Sequence, residues 1–292
     1  MKYQPVLKWL TLLIGVLALF AAVMGLFYQT PGQAFQYTNH RGETAMINGR
    51  GLYFYDTVSS AAQMQGNDMI TLVVGLPLLA VSTWLAFRGS LRGRLLLTGT
   101  MGFFLYTYLS MSMLTSYNAL FLVYVALFTL SLYSFILSML AYDLADLPRH
   151  FATRLPRRAI AVVLFAVGGF LFLAWMGKIV PPLLTNGTPP LENTTTLVIQ
   201  ALDLALIAPL AILSGIMLLR RSAWGYLLAS VTVLKGLTMA LAVSTMGINM
   251  ALQGVPDSLA ILIPFLVLTA LNLIVAVLLL RSIDTRPAAA SA

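Results

Sequence analysis

Eight runs of about 20 apolar residues dominate this sequence, and each is long enough to cross the hydrocarbon core of a bilayer as one helix. Of the 292 residues, 60% are hydrophobic and only 9% are charged, too few charges for a soluble surface. The sequence therefore predicts an all-α integral membrane protein. Its eight predicted spans lie near 8–28, 68–87, 95–114, 117–140, 159–180, 196–219, 225–247 and 258–280.

The basic residues predict how these spans are oriented. Of the 17 Lys and Arg residues, 13 fall on the side that holds both termini. The other four are Arg41, Arg50, Lys178 and Lys235. Cytoplasmic loops carry an excess of Lys and Arg, so we expect both termini in the cytoplasm. Because this topology explains the net charge of +8, we expect no nucleic-acid partner.

The two halves of the chain resemble each other. The segment from Pro77 matches the segment from Pro209 without gaps, an offset of 132 residues, and both prolines should kink their helices. Since both halves start on the same predicted side, they would be parallel four-helix repeats related by an axis along the membrane normal. The identical pairs are Pro77/Pro209, Ser82/Ser214, Arg88/Arg220, Ser90/Ser222, Gly93/Gly225, Leu95/Leu227, Leu96/Leu228 and Thr100/Thr232.

This duplication predicts the domain organisation. The first repeat covers 1–140, a basic linker 141–158 follows, the second repeat covers 159–284, and 285–292 form a disordered tail. LFAAVMG at 19–25 resembles LFLAWMG at 171–177, an offset of 152. Because the offset then falls to 132, the first outer loop is longer than its counterpart.

The extra residues of the first outer loop predict a small structured cap at about 39–66. Two β-prone runs at 44–47 and 52–55 flank Asn48-Gly49, a strong hairpin-turn signal. Asp56 would then cap a short helix at 57–65 that leads into the second span. The cap is either a spacer packed on the outer surface or a lid over a pocket, in which case Arg50 is a candidate ligand contact.

Asp203 lies within an apolar run, where a carboxylate costs about 2.5–3.5 kcal/mol on insertion scales. The other charges predicted inside the membrane are Lys178 and Lys235, so all three fall in the second half. The rise of a helix places both lysines within about 9 Å of Asp203 in height. Gln200, one turn before Asp203, and Asn272 and Tyr106, at similar depth, are further candidate ligand-binding residues.

Three interpretations of this set remain open. Two lysines and one aspartate leave one positive charge, which favours a small anionic solute that is bound or translocated. Alternatively, the charges pair with each other and fix the helix packing, or Asp203 relays protons. The protein could also be a non-catalytic accessory or sensory protein that acts through its cap, and the sequence leaves a homo-oligomer or a protein partner open.

No catalytic set is recognisable. The chain has no cysteine, and its two histidines, His40 and His150, fall in loops, so we expect no metal or other cofactor. Motifs of hydrolases and nucleotide-binding enzymes are absent from the sequence. An enzyme that modifies lipid stays open as a further alternative.

Three segments carry a family resemblance. GRGLYFYD at 49–56, LRGRLLLTGTMGFFLYTY at 91–108 and YNALFLVYVALFTLSLYSF at 117–135 resemble a group of bacterial polytopic proteins with eight spans and no assigned activity. The resemblance implies location in the bacterial inner membrane, and it implies no chemistry.

Overall fold

The structure is a computed structural model that describes residues 2–256 and 258–283. Within them, eight long helices form one bundle, and seven of these are long and apolar enough to cross a membrane. The prediction of an all-α membrane protein is therefore confirmed in its coarse form. The predicted tail at 285–292 lies outside the described residues.

The helices follow the predicted spans closely, with two of them interrupted by a widened π-helical turn. Thr71–Gly75 joins α2 to α3, and Asp203–Ile207 joins α7 to α8. The helices are α1 Gln4–Phe27, α2 Val58–Ile70, α3 Leu76–Phe87, α4 Leu91–Leu114, α5 Phe121–Met139, α6 Arg157–Leu184, α7 Val198–Leu202, α8 Ala208–Leu219, α9 Ala223–Leu252 and α10 Ser258–Arg281.

Helices α4 and α9 form the centre of the bundle. They pack on each other, α4 also contacts α3 and α5, and α9 also contacts α2, α8 and α10. Fifteen of the 24 residues of α4 are buried. Because protein rather than lipid surrounds it, α4 can carry glycine, threonine and tyrosine, and it is the long helix whose composition alone does not mark it as a span.

Glycines allow the closest helix crossings. A β-carbon on Gly66 of α2 would lie 2.8 Å from the Met246 Cα of α9, and one on Gly99 of α4 would lie 2.6 Å from the Leu234 Cβ of α9. Small residues at such crossings let helix backbones approach closely in membranes. Helix α9 thus depends on glycines of α2 and α4 for its close contacts with the first half of the chain.

The cap contains an antiparallel hairpin, but its strands differ from the predicted ones. Strand β1, Phe35–Thr38, pairs with β2, Thr44–Ile47, whereas the expected second strand at 52–55 is a series of turns. A strand would place Tyr53 and Tyr55 on the same face. Instead Tyr53 is 1% exposed and Tyr55 is 64% exposed, because the loop turns the Tyr53 side chain into the bundle.

Asn48 and Gly49 open this loop instead of a two-residue turn. The Asn48 side chain donates hydrogen bonds to the carbonyls of Arg50 and Tyr53. Gly49 has a φ of 68°, which favours glycine, and its N–H donates to the Phe54 carbonyl. The turn signal was therefore correct in position but belongs to a wider loop.

The short helix predicted at 57–65 is the first part of one continuous helix from Val58 to Phe87. Thr57, not Asp56, is its N-cap and accepts a hydrogen bond from the Ser60 N–H. Asp56 instead accepts from the Ser116 N–H at 3.0 Å and so ties the cap to the end of α4. Its second carboxylate oxygen is buried and has no hydrogen-bond partner within 2–256 and 258–283.

The cap of the first half is bound to the loop between α6 and α7 in the second half. Glu43 accepts hydrogen bonds from the backbone N–H groups of Leu191 and Glu192 at 3.1 and 2.9 Å, and the Thr57 hydroxyl donates to the Glu192 carboxylate at 2.6 Å. Burial raises the pKa of Glu43, but the hydrogen bonds from Glu192, Leu191 and Asn39 and the charge of Arg41 outweigh this effect and lower it. We call these contacts the outer clasp.

Gly66 allows a direct test of the crossing between α2 and α9. We expect Gly66→Ala to lower the stability by about 1–3 kcal/mol, because its methyl group would overlap the backbone at Met246. Gly169→Ala is the matched control, since a β-carbon there meets no atom within 4 Å and alanine favours a helix. Thermal unfolding in detergent measures both; equal melting temperatures for the two variants would contradict the crossing.

Asp56 predicts a pH dependence. Burial raises its pKa from 3.8 to about 6, so between these values folding takes up a proton, and the free energy of unfolding rises as the pH falls from about 7 to 4. The full effect is about 3 kcal/mol. Asp56→Asn should lack this component. Thermal unfolding across this pH range gives the difference in the free energy of unfolding between wild type and variant, which isolates the contribution of Asp56 from that of Glu43. A difference that does not change with pH would refute the pH dependence assigned to Asp56.

Candidate functional site

Asp203 lies at a change in helix geometry. It begins the π-helical turn before α8, and Pro209 follows in the first turn of α8. Proline has no N–H, and its ring presses on the carbonyl four residues earlier, which is that of Ala205 within the turn. The distortion at Asp203 therefore has a local cause in the sequence. Single π-helical turns are frequent at functional sites.

Two aromatic side chains donate hydrogen bonds to Asp203, one to each carboxylate oxygen. The Tyr106 hydroxyl on α4 donates to Oδ1 at 2.5 Å, and the Trp175 indole N–H on α6 donates to Oδ2 at 3.0 Å. Asp203 is 7% exposed, and a buried carboxylate without donors would be strongly destabilising. Aromatic donors, not the expected lysines, therefore satisfy its oxygens.

Lys235 lies on the other side of Tyr106. Its Nζ is 4.0 Å from the centre of the Tyr106 ring, a cation–π contact, and its stem passes close to Gly102 of α4. The charges of Lys235 and Asp203 attract each other, but the ion pairs within 2–256 and 258–283 are Arg41–Glu43 and His150–Asp146. No carboxylate in that part of the chain therefore contacts the Lys235 ammonium group directly.

The other four candidate ligand-binding residues are Lys178, Gln200, Asn272 and Arg50, and they do not contact Asp203 or Lys235 through hydrogen bonds among the described residues. Lys178 is half-buried on α6, one turn beyond Trp175. Gln200 is buried one turn before Asp203. Asn272 is buried on α10, donates to the Leu268 carbonyl, and places its amide oxygen near Gly236. Arg50 is exposed on the cap. Among the described residues, none of these four side chains hydrogen-bonds to Asp203 or Lys235.

Two important residues were missed by the sequence analysis. Trp175 stands where the first half has Val23, inside the matched LFLAWMG and LFAAVMG segments, and this substitution was the available signal. Asp68 overturns the expectation that the charges inside the bundle fall only in the second half: it is 1% exposed on α2, within the helix Val58–Phe87. At the offset of 132, Asp68 pairs with Gln200 and Thr71 with Asp203.

The comparisons with known proteins add no assignment to this geometry. No protein-family model matches the chain, and no match was found among the curated proteins or the solved structures. Any function must therefore be argued from the residues themselves.

The hydrogen bond between Tyr106 and Asp203 can be tested by removing one hydroxyl. We expect Tyr106→Phe to lower the stability by about 1–3 kcal/mol, because one oxygen of a buried carboxylate loses its donor. Tyr133→Phe is the matched control, since Tyr133 is 57% exposed. Thermal unfolding in detergent measures both variants. A melting temperature of Tyr106→Phe equal to that of the control would show that this bond does not support the fold.

Proposed function

We propose that this multi-pass membrane protein binds, and carries across the membrane, a small anionic solute at Lys235, Asp203 and Tyr106. The observation that supports this function is the state of Lys235. Its ammonium group contacts the Tyr106 ring and has no ion-pair partner among the described residues. A positive charge inside an apolar bundle without a contacting carboxylate favours an anionic ligand.

The hydrogen bonds of Asp203 strengthen this argument. Tyr106 and Trp175 already donate to its two oxygens, so the carboxylate is held by neutral donors and Lys235 remains available. A carboxylate or a similar anion could accept hydrogen bonds from the Lys235 ammonium group, which has three donors. Asp203 would then orient Tyr106 and limit the site to ligands of low charge.

The two π-helical turns support a role in movement. They lie at Thr71–Gly75 and Asp203–Ile207, separated by the same offset of 132 residues as Pro77 and Pro209. Ser90 and Ser222, another identical pair at this offset, both cap the following helix by accepting a hydrogen bond from a glycine N–H. These matches favour an origin from two parallel four-helix repeats, whose equivalent turns would act as hinges.

In this proposal both termini lie on the cytoplasmic side of a bacterial inner membrane. The distribution of the 17 basic residues supports this orientation. The cap and the outer clasp would then face the outer side, above the path to Asp203, and opening the clasp would accompany solute entry.

Solute binding is tested with the purified protein by thermal unfolding in the presence of small anions. Carboxylates, phosphate and sulfate are compared with neutral amides at constant ionic strength. A ligand that binds only the native state at 100 times its Kd adds about 2.7 kcal/mol of stability. We expect at least one anion to raise the melting temperature, and no neutral analogue to do so.

Three variants identify the site. Lys235→Met should abolish the anion response, because it removes the charge and keeps the apolar stem, whereas Lys8→Met, at an exposed position on α1, should respond as the wild type does. Asp203→Asn should fold, since the amide oxygen still accepts a hydrogen bond, but should not take up solute in liposomes. Anion stabilisation that persists in Lys235→Met, or equal stabilisation by neutral solutes, would refute the proposed site.

A further inference from the structure

Asp68 forms a second buried polar site, in the first half of the chain. Gly25 of α1 passes so close that a β-carbon there would overlap the Asp68 carboxylate. The Tyr53 hydroxyl, which the cap inserts into the bundle, donates a hydrogen bond to Asp68 Oδ2 at 2.6 Å. The cap, α1 and α2 therefore enclose one carboxylate.

Among the described residues, no basic side chain forms an ion pair with this carboxylate. Within the described parts of the chain, neither ion pair includes Asp68, and the position that holds Lys235 in the second half holds Phe103 in the first at the offset of 132. An uncompensated charge inside a membrane is costly. A bound cation or a proton must therefore accompany Asp68.

The surrounding polar atoms point to a cation. Three polar atoms are buried and have no hydrogen-bond partner among the described residues: the Tyr108 hydroxyl, the Thr71 hydroxyl and the Asn67 amide oxygen. Each of these residues is at most 3% exposed. Tyr108 interacts electrostatically with Asp68. Thr71 lies one turn after Asp68 on the same face of the helix, and Asn67 lies one turn before Thr71. These three atoms are all oxygens, and hard cations prefer oxygen ligands.

The helix geometry adds a further source of oxygen ligands. The π-helical turn Thr71–Gly75 begins three residues after Asp68, and Pro77 beyond it has no N–H to donate to its carbonyls. In membrane transporters, backbone carbonyls of unwound helix segments coordinate sodium ions. Asp68 is a single carboxylate, so its charge balances one monovalent cation.

We propose that Asp68, with the Tyr108 and Thr71 hydroxyls as neighbouring ligands, binds a sodium ion. The site lies in the first half and does not depend on the anion site at Lys235. In this proposal the charges of the two halves select different ions. Asp68, which has no lysine beside it among the described residues, binds a cation, whereas the site that contains both Asp203 and Lys235 binds an anion. The Asn67 amide oxygen is a further candidate ligand.

Thermal unfolding of the purified full chain tests this site. NaCl is titrated against choline chloride at constant ionic strength, and KCl serves as a second comparison. We expect sodium to raise the melting temperature with a saturable dependence, and potassium to do so less effectively. An equal effect of all three salts would reveal a general salt effect and overturn the proposal. No sodium effect at all would indicate that Asp68 carries a proton instead, which also overturns it.

Variants locate the effect. Thr71→Val removes one hydroxyl with little change in shape and should raise the half-saturating sodium concentration at least about tenfold; Tyr108→Phe should act in the same direction. The matched control is Thr107→Val, because Thr107 is another buried threonine whose hydroxyl has no partner in the part of the chain that the structure describes. Asp203→Asn, in the other half, should keep the wild-type sodium response even if the anion response is lost.

Asp68→Asn should abolish the sodium response. If this variant does not fold, Thr71→Val and Tyr108→Phe decide the question. A sodium response that is unchanged in both of them would overturn the proposed ligands, whatever the result for the anion site.

Discussion

A carboxylate inside an apolar bundle needs hydrogen-bond donors from the protein, because lipid offers none. The bond from Tyr106 to Asp203 meets this need across the two halves of the chain, since α4 belongs to the first half and the Asp203 turn to the second. It fixes α4 against α7 beside the crossing of α4 and α9. The position of Lys235 depends on the same bond, because its ammonium group packs against the face of the Tyr106 ring.

The first half solves the same problem with a different donor. Tyr53 reaches Asp68 from the cap, so a surface loop becomes part of the bundle interior. The outer clasp then ties this cap to Glu192 of the second half. The cap therefore connects Asp68 with the loop between α6 and α7 in the second half.

Much of this fold could be predicted from local sequence. Runs of about 20 apolar residues mark the helices because membrane spans need that length, and the ends of α3 and α8 fell where predicted. The hairpin strands were predicted less well. The run at 52–55 has β-forming residues, but Tyr53 is drawn inward to Asp68, a contact between residues 15 positions apart that no local propensity contains.

The sequence by itself determined the helical class, the approximate positions of the spans and the presence of Asp203 and Lys235 inside the bundle, because hydrophobic length and the cost of buried charge are local properties. Only the tertiary structure decided which groups meet. In it, Tyr106 and Trp175, not a lysine, donate hydrogen bonds to Asp203, and Asp68 is a second buried carboxylate. Such partners come from separate helices, and their meeting depends on how glycine crossings set the packing of the whole bundle.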